Sequence, residues 1–269
     1  MAAKPGRLTC VGVGMMLGAH LTPRARHEIE CSDVVFAAVS DAVVELWLQG
    51  LRPDLRSLQP LYAADKSRLQ TYRDMVQVMM GEVRVGKSVC GVFYGHPGVF
   101  AHAPHDAILR ARNEGFEASM EAAISAEDCM YADMGIDPGR VGCQHYEATQ
   151  ILLYRRRLDP SAYLVLWQVG VVGDRSYRRS STTEGHRKLL VERLLEDYPA
   201  THPVTVYEAA TLPIAAPRIE TIELSALVDT ELRAHSTLVI PPATELVADE
   251  GMRQRLSALD KDTGMGLRG

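Results

Sequence analysis

The stretch that most narrows what this chain can fold into is Ser88-Val89-Cys90-Gly91-Val92-Phe93-Tyr94-Gly95-His96-Pro97-Gly98-Val99-Phe100. A short apolar run ends in a loop of Gly, His, Pro and Gly, and a helical pattern (Ala107, Ile108, Ala111) follows. A continuous apolar run of this length fits a strand buried on both faces, as in a parallel sheet. The carboxyl end of such a strand opens onto a crevice where open α/β sheets take ligands. Gly95 and Gly98 allow close backbone approach, and Pro97 stiffens the turn. Any strand-to-helix connection uses similar residues, so this loop alone does not decide between a ligand site and a plain turn.

The same strand–turn–helix grammar recurs along the chain. Arg7 to Gly14 reads as a strand, followed by Gly12, Gly14 and Gly18 in a G-x-G-x-x-x-G turn. Thr22-Pro23 gives an N-cap and a first-turn proline for a helix to Cys31. Asp33 to Val39 is the next strand, with Asp41 at its end. Glycines after one strand and an acid after the next resemble a dinucleotide site, but the spacing is one residue off the fingerprint. NAD(P) is therefore a minor alternative. Asp41 to Gly50 reads as a helix closed by Gly50, and Leu55 to Leu61 as a weak strand interrupted by Pro60. Asp65 to Arg84 carries the longest 3.6-residue period, in Leu69, Met75, Val76, Met79, Met80 and Val83. Arg68 and Tyr72, four apart, share a face of that helix, with Tyr62 just upstream. A surface arginine stacked on a tyrosine would account for them equally well. Pro104 to Asn113 reads as a helix and Phe116 to Met120 as a strand.

In the second half, Ser125 and Asp128 form a capping-box pattern for a helix to Met134. Capping alone would explain Ser125, although helix N-termini also present free amides to ligands. The turn-rich Gly135 to Gly142 is the expected junction between an N-terminal α/β domain (1–134) and a C-terminal one (135–243). Leu164 to Val169, Val204 to Glu208, Arg218 to Leu224 and Ser236 to Ile240 read as strands, and Arg187 to Tyr198 as a helix. Arg175 to Thr183 is a basic, Ser/Thr-rich loop expected to be mobile. Short and long connections together imply mixed sheets with flanking helices. Residues 244–269 are charged, with one weak helix from Met252 to Leu259, and read as a tail.

Composition excludes several classes. A net charge of −5 speaks against general nucleic-acid binding. No run approaches a membrane span, and Met1 to Gly6 is too short and polar to lead a signal peptide. The five cysteines show no CxxC spacing and sit mostly in apolar segments, as reduced thiols of a cytoplasmic protein do. His96, His102 and His105 cluster, but no cysteine or acid completes a metal-ligand set at metal spacing, so no metal is expected.

An ordered set of segments carries a family resemblance: Tyr94-Gly95-His96-Pro97-Gly98-Val99-Phe100, Ile124-Ser125-Ala126-Glu127, Gly135-Ile136-Asp137-Pro138, Leu166-Trp167-Gln168-Val169-Gly170, Tyr207-Glu208-Ala209-Ala210 and Ser236-Thr237-Leu238-Val239-Ile240. From residue 7 to about 243 the chain resembles the tetrapyrrole methylase superfamily and, within it, the borosin-type α-N-methyltransferases. Those enzymes use S-adenosylmethionine to methylate backbone amides of a ribosomal precursor peptide. Tetrapyrrole methylases generally carry an acid where His96 stands, and the histidine points to the peptide-methylating branch. The resemblance implies two α/β domains with the cofactor cleft between them. It implies cofactor contacts from Tyr94, His96, Val99, Phe100, Ser125, Ala126, Gln168, Ala209, Ser236 and Thr237, with S-adenosylhomocysteine as the product. Catalysis falls to Tyr62, Arg68 and Tyr72. An amide nitrogen is a poor nucleophile because its lone pair is delocalised. A tyrosine near a guanidinium is expected to ionise more easily and act as base, with Arg68 facing the developing oxyanion. Tyr72 is assigned as the base and Tyr62 as the orienting residue, with the swapped roles open. The resemblance further implies a homodimer binding two precursor chains. Asp260 to Gly269 lacks the Val/Ile-rich stretch such enzymes modify, so the precursor is expected in trans, on a separate polypeptide. One departure stands out: Ala122-Ala123 replaces the relatives' usual Pro-Gly, and Ala123 is expected to narrow the cofactor loop. Alternatives are a small-molecule methyltransferase of the same fold and a non-catalytic peptide-binding scaffold.

Overall fold

The computed structural model describes residues 5–39, 41–63, 66–175 and 181–262. The alternation read from the sequence builds β1 (Arg7–Gly12), α1 (Pro23–Cys31), β2 (Val34–Ala38) and α2 (Ala42–Leu51). They are followed by β3 (Arg56–Ser57), α3 (Arg68–Arg84), β4 (Ser88–Phe93), α4 (Ala103–Asn113) and β5 (Glu117–Met120). The five strands form one sheet in the order β3-β2-β4-β1-β5, and every pairing is parallel. The central strands β1 and β4 are buried almost throughout, as their unbroken apolar runs require. Met75, Val76, Met79, Met80 and Val83 line the inward stripe of α3 and pack under the sheet with Leu8, Phe36 and Val89. Each such side chain contributes about 1.5–3 kcal/mol relative to an exposed one.

The chain continues through α5 (Ala126–Met134), α6 (Pro138–Val141), β6 (Cys143–Glu147), α7 (Ala148–Leu153), β7 (Tyr163–Trp167), α8 (Glu184–Leu194), β8 (Pro203–Glu208), β9 (Arg218–Glu223), β10 (Thr237–Ile240) and α9 (Glu250–Asp262). The second sheet runs β6-β7-β10-β8-β9. Only β6 and β7 pair in parallel; β10 is antiparallel to β7 and β8, and β8 to β9. Strand directions thus mix in this sheet and not in the first. Met130 of α5 is fully buried against Val165, Trp167, Tyr207 and Val239, with Ala126, Tyr131 and Met134 alongside. So α5, although it precedes the turn-rich stretch at 135–142, is packed with the second sheet.

Several boundaries differ from the sequence reading. Gly50 does not close α2: the helix runs through it to Leu51, and the Arg52 N–H bonds back to Leu48. Leu55 to Leu61 holds only the two-residue β3 and then a 3-10 turn over Gln59–Leu61 that accommodates Pro60. α3 starts at Arg68 because Ser67 caps it; Asp65 lies outside the described residues. α8 begins earlier, at Glu184 after the Thr183 cap, and ends at Leu194. The stretch at 135–142 includes α6, with Asp137 accepting from the Gly139 N–H. β6 and α7 were not anticipated. Most of the basic loop (176–180) and the end of the tail (263–269) lie outside the described residues. Among the described residues, no helix is long and apolar enough to cross a membrane.

Candidate active site

The loops after β1 and β4 leave neighbouring parallel strands at their carboxyl ends and lock together there. Gly14 N–H donates to Gly95 O at 3.2 Å, and Gly95 N–H donates to Gly14 O at 3.1 Å. Gly95 takes φ +62°, a backbone state that a Cβ disfavours. At Gly12 a Cβ would fall 2.1 Å from Gly95 O and 2.7 Å from the Ala123 Cβ. The bare Cα of Gly12 therefore gives the Ala123 methyl its space. The His96 Nδ1 accepts from Gly98 N–H at 2.8 Å and His105 Nε2 lies 2.9 Å from Gly98 O, so both shape this loop. His102 pairs with Asp106 at 3.3 Å. Among the described residues no three His, Cys, Asp or Glu side chains are grouped to hold a metal ion. Asp41 accepts from Val43 N–H at 2.7 Å and caps α2, which accounts for its carboxylate without a ribose.

From this loop the site reaches the second sheet. Phe100, exposed and at φ +48°, lays its ring 5.3 Å from that of Trp167, the last residue of β7. Gln168 follows at φ +58°, its side chain exposed and without a hydrogen bond among the described residues. Two non-glycine residues held at positive φ on facing loops are costly geometry of the kind that clusters at functional sites. Ser125 caps α5 through a full capping box: its Oγ donates to Asp128 Oδ2 at 2.7 Å and accepts from Asp128 N–H at 3.3 Å. Ala126 opens that helix. Leu17 N–H donates to Thr211 O at 2.9 Å, just beyond Ala209, and ties the β1 loop to the end of β8.

Tyr94, Val99 and Ala209 are half-buried, whereas Ser236 and Thr237 are buried. Burial pushes the Tyr94 hydroxyl up to about 12, so it stays protonated at neutral pH. Ser236 is engaged within the protein: its Oγ donates to Glu208 at 2.6 Å and accepts from Arg233 N–H at 2.8 Å, and its carbonyl takes the Val169 N–H. Glu208 is the centre of this cluster, bound also by Arg218 at 3.0 Å and Arg233 at 2.7 Å. Burial works to raise its carboxyl, but Ser236, Arg218, His235 and Arg233 outweigh it and hold it below the ordinary glutamate value.

Tyr62, Arg68 and Tyr72 come together at the start of α3. Tyr72 interacts directly with the Tyr62 hydroxyl and lies 5.9 Å from the His102 ring, beside the β4 loop. Arg68 donates to Asp174 Oδ2 at 3.2 Å, across to the loop after β7. At Tyr62 the guanidinium of Arg68 eases ionisation, as expected, but other effects outweigh it. Burial, then Tyr72, pushes its hydroxyl up to about 12 against the smaller pull of Arg68. Asp174, whose side chain is 2% exposed, shares the charge that would otherwise act on it. Asp174 escaped the sequence reading because an acid beside a basic, Ser/Thr-rich stretch gives no local signal of a partner 106 residues away.

The tetrapyrrole (corrin/porphyrin) methylase family signature matches residues 7–224, spanning the first sheet and every strand of the second except β10. The chain belongs to that family. It is 42% identical over 245 residues to a methyltransferase/ribosomally synthesized type I borosin cyclic peptide precursor of Coprinopsis marcescibilis, covering 89% of this chain and 63% of the relative. It is 37% identical over 260 residues to the corresponding omphalotin A precursor of Omphalotus olearius, covering 95% and 62%. A type III borosin relative of Anomoporia bombycina is 40% identical over 89% of this chain and 28% of the relative. The chain thus spans less than two thirds of the length of these relatives. Among solved structures, uroporphyrin-III-C-methyltransferase from Thermus thermophilus superposes with a TM-score of 0.64 at 19% identity, covering 88% of this chain and 94% of that one. Cobalt precorrin-4 methyltransferase gives 0.60 at 16%, covering 87% and 94%. At these identities the likeness is one of fold. The chain has the two-sheet α/β tetrapyrrole methylase fold, as expected, and its curated relatives are borosin methyltransferase precursors.

Proposed function

We propose that this protein is an S-adenosylmethionine-dependent α-N-methyltransferase acting on backbone amides of a ribosomally made precursor peptide. The observation that carries the reading is the assembly of Tyr62, Arg68 and Tyr72 beside the loop that continues to Phe100, Trp167 and Gln168. An aromatic pair next to an unengaged amide, at the carboxyl ends of parallel strands, is a donor set that suits a purine nucleoside. Tyr94, His96, Val99, Phe100, Ser125, Ala126, Gln168, Ala209 and Thr237 would line the cofactor, while Ser236 would act by holding the Thr237 backbone in place. When bound, S-adenosylmethionine supplies an electrophilic methyl group and leaves as S-adenosylhomocysteine.

The chain's own residues supply the rest. Tyr72, acting as the phenolate, takes the amide proton and becomes the phenol; Tyr62 orients the peptide, and Arg68 stays charged and faces the imidate oxygen that forms as the nitrogen loses its proton. Asp174 holds Arg68 in this state, so the guanidinium would share or exchange that partner to face the substrate carbonyl. Exposed apolar side chains at Leu246, Val247, Met252 and Leu256 support association through the C-terminal helix, and we assign a homodimer taking two precursor chains. The precursor is proposed to come in trans. Five free thiols, two of them buried, support a cytoplasmic site of action. The test is to incubate the protein with S-adenosylmethionine and a separate precursor peptide encoded beside its gene, and to follow intact mass. A ladder of single-methyl steps is expected. Cofactor binding without mass gain would move the substrate class to small molecules, and no binding would leave a scaffold.

A further inference from the structure

Three side chains that play no part in the chemistry above, His145, Tyr131 and Glu127, join Trp167 in one hydrogen-bonded chain between α5 and β7. β6 and β7 pair with His145 opposite Val165 and Glu147 opposite Trp167, which puts His145 and Trp167 on one face as diagonal neighbours. Their ring planes are nearly parallel, 17° apart, with centroids at 6.0 Å. The Trp167 indole N–H donates to His145 Nδ1 at 3.1 Å, which leaves the imidazole proton on Nε2. That nitrogen lies 2.8 Å from the Tyr131 oxygen, and Tyr131 in turn donates to Glu127 Oε1 at 3.0 Å. The hydrogen bonds run in one direction from indole to carboxylate, with Cys143 as a second partner of Tyr131 and Glu127 Oε1 also 3.5 Å from His145 Nε2.

The ends of this chain are the two walls of the proposed cofactor cleft. Trp167 supports Phe100 and precedes Gln168. Glu127 sits in the first turn of α5, next to Ser125 and Ala126. We infer that His145 is a positioning residue for the cofactor: neutral and protonated on Nε2, it fixes the Trp167–Gln168 wall to the N-terminus of α5. The inference rests on the cofactor reading proposed above. An imidazolium carries a proton on both nitrogens, so protonation would set a donor against the indole N–H and break the chain at its centre. Facing His145 are Glu127 and Tyr131 from α5 and Trp167 from β7, while Cys143 on its own strand bonds Tyr131. Burial disfavours the imidazolium and Glu127 favours it; burial prevails, and the ring titrates below its ordinary value. Cofactor affinity should therefore be intact above the ordinary histidine range, about 6.5, and weaken as pH falls below it.

Trp47→Phe makes Trp167 the only tryptophan, since the chain has two. In that background, indole emission and the Kd for S-adenosylhomocysteine are followed from pH 8 to pH 5. Both should move along one titration, with Kd weakening about three- to tenfold, the worth of one hydrogen bond. In His145→Gln an amide can still accept from Trp167 and donate to Tyr131, so affinity should stay within about twofold of the parent at pH 8 and its pH dependence should vanish. Tyr131→Phe, which removes a single oxygen, should weaken binding at pH 8 and leave the emission titrating. An emission change with a flat Kd, or an unchanged pH profile in His145→Gln, would overturn the role of His145 alone. Absence of S-adenosylhomocysteine binding at every pH would remove the cofactor reading and this role with it.

Discussion

The two ends of the candidate site are held in different ways. At the α5–β7 wall, Trp167, His145, Tyr131 and Glu127 form a continuous hydrogen-bonded chain, with Cys143 bonded to Tyr131 at its side. At the start of α3, Tyr62 is 43% exposed, and Arg68 is held by one ion pair to an aspartate from the other sheet. A wall that receives the same nucleoside in every turnover gains from rigidity, because preorganisation lowers the cost of binding. A site that takes successive amides of a peptide needs charges that can change partner. In the proposed enzyme, a fixed cofactor wall would be joined to a catalytic end whose ion pair to Asp174 can change partner.

The sharpest way to break this comparison is to remove chemistry from the adjustable end and ask whether the fixed end notices. Tyr72→Phe should lower the methyl-transfer rate by about 10²–10⁴, and Arg68→Met by about 10²–10³. Both should leave the Kd for S-adenosylhomocysteine within twofold or so of the parent, measured by calorimetry. A comparable loss of affinity would mean that the two ends are one unit. Asp174→Asn sharpens the same point more gently. It keeps the geometry but no longer neutralises Arg68, so the base becomes easier to ionise. The ascending, acid-side limb of the pH–rate profile, which reports ionisation of the base, should move to lower pH by roughly one pH unit. An unmoved limb would show that Asp174 does not hold Arg68 in check.

Away from the chemistry, Glu208→Gln tests the second sheet's support for Ser236 and Thr237. The native carboxyl is held below its unfolded value, so its contribution is full above about pH 4.3 and is lost as pH falls through the folded value. The variant should lose about 1–3 kcal/mol at pH 7 in denaturant unfolding, and the gap to the parent should close in acid. The smallest effect is expected from Ala123→Gly, at the position whose methyl abuts the bare Cα of Gly12. It should cost about 0.5–1 kcal/mol of stability, through backbone entropy, and leave cofactor affinity unchanged.

Much of this was legible in the sequence because it was written locally. The buried runs of β1 and β4, the Thr22-Pro23 and Ser125-Asp128 caps and the apolar stripe of α3 are short-range patterns with direct physical causes. β6 and α7 were not legible: the residues Cys143 to Glu147 are all half-buried and give no clean alternation, and α7 has only six residues, too few for a period to register. The same limit hid the relay. Glu127 and Tyr131 are visibly one turn apart, but their connection to Trp167 exists only through the parallel register of β6 on β7. Asp174 was hidden for the same reason, since its partner is on the other sheet. At Tyr62 the expectation failed on magnitude: the favourable charge is present but burial outweighs it, and burial of one tyrosine is not read from neighbouring letters.

The central claim is that the proton taken by Tyr72 and the charge of Arg68 act on a backbone amide. The most direct test is tandem mass fragmentation of the precursor after reaction with S-adenosylmethionine, which locates each added methyl. The account expects every methyl on a main-chain nitrogen, with the additions lost in Tyr72→Phe. Methyls on side chains, or main-chain methylation that persists undiminished in Tyr72→Phe, would contradict it.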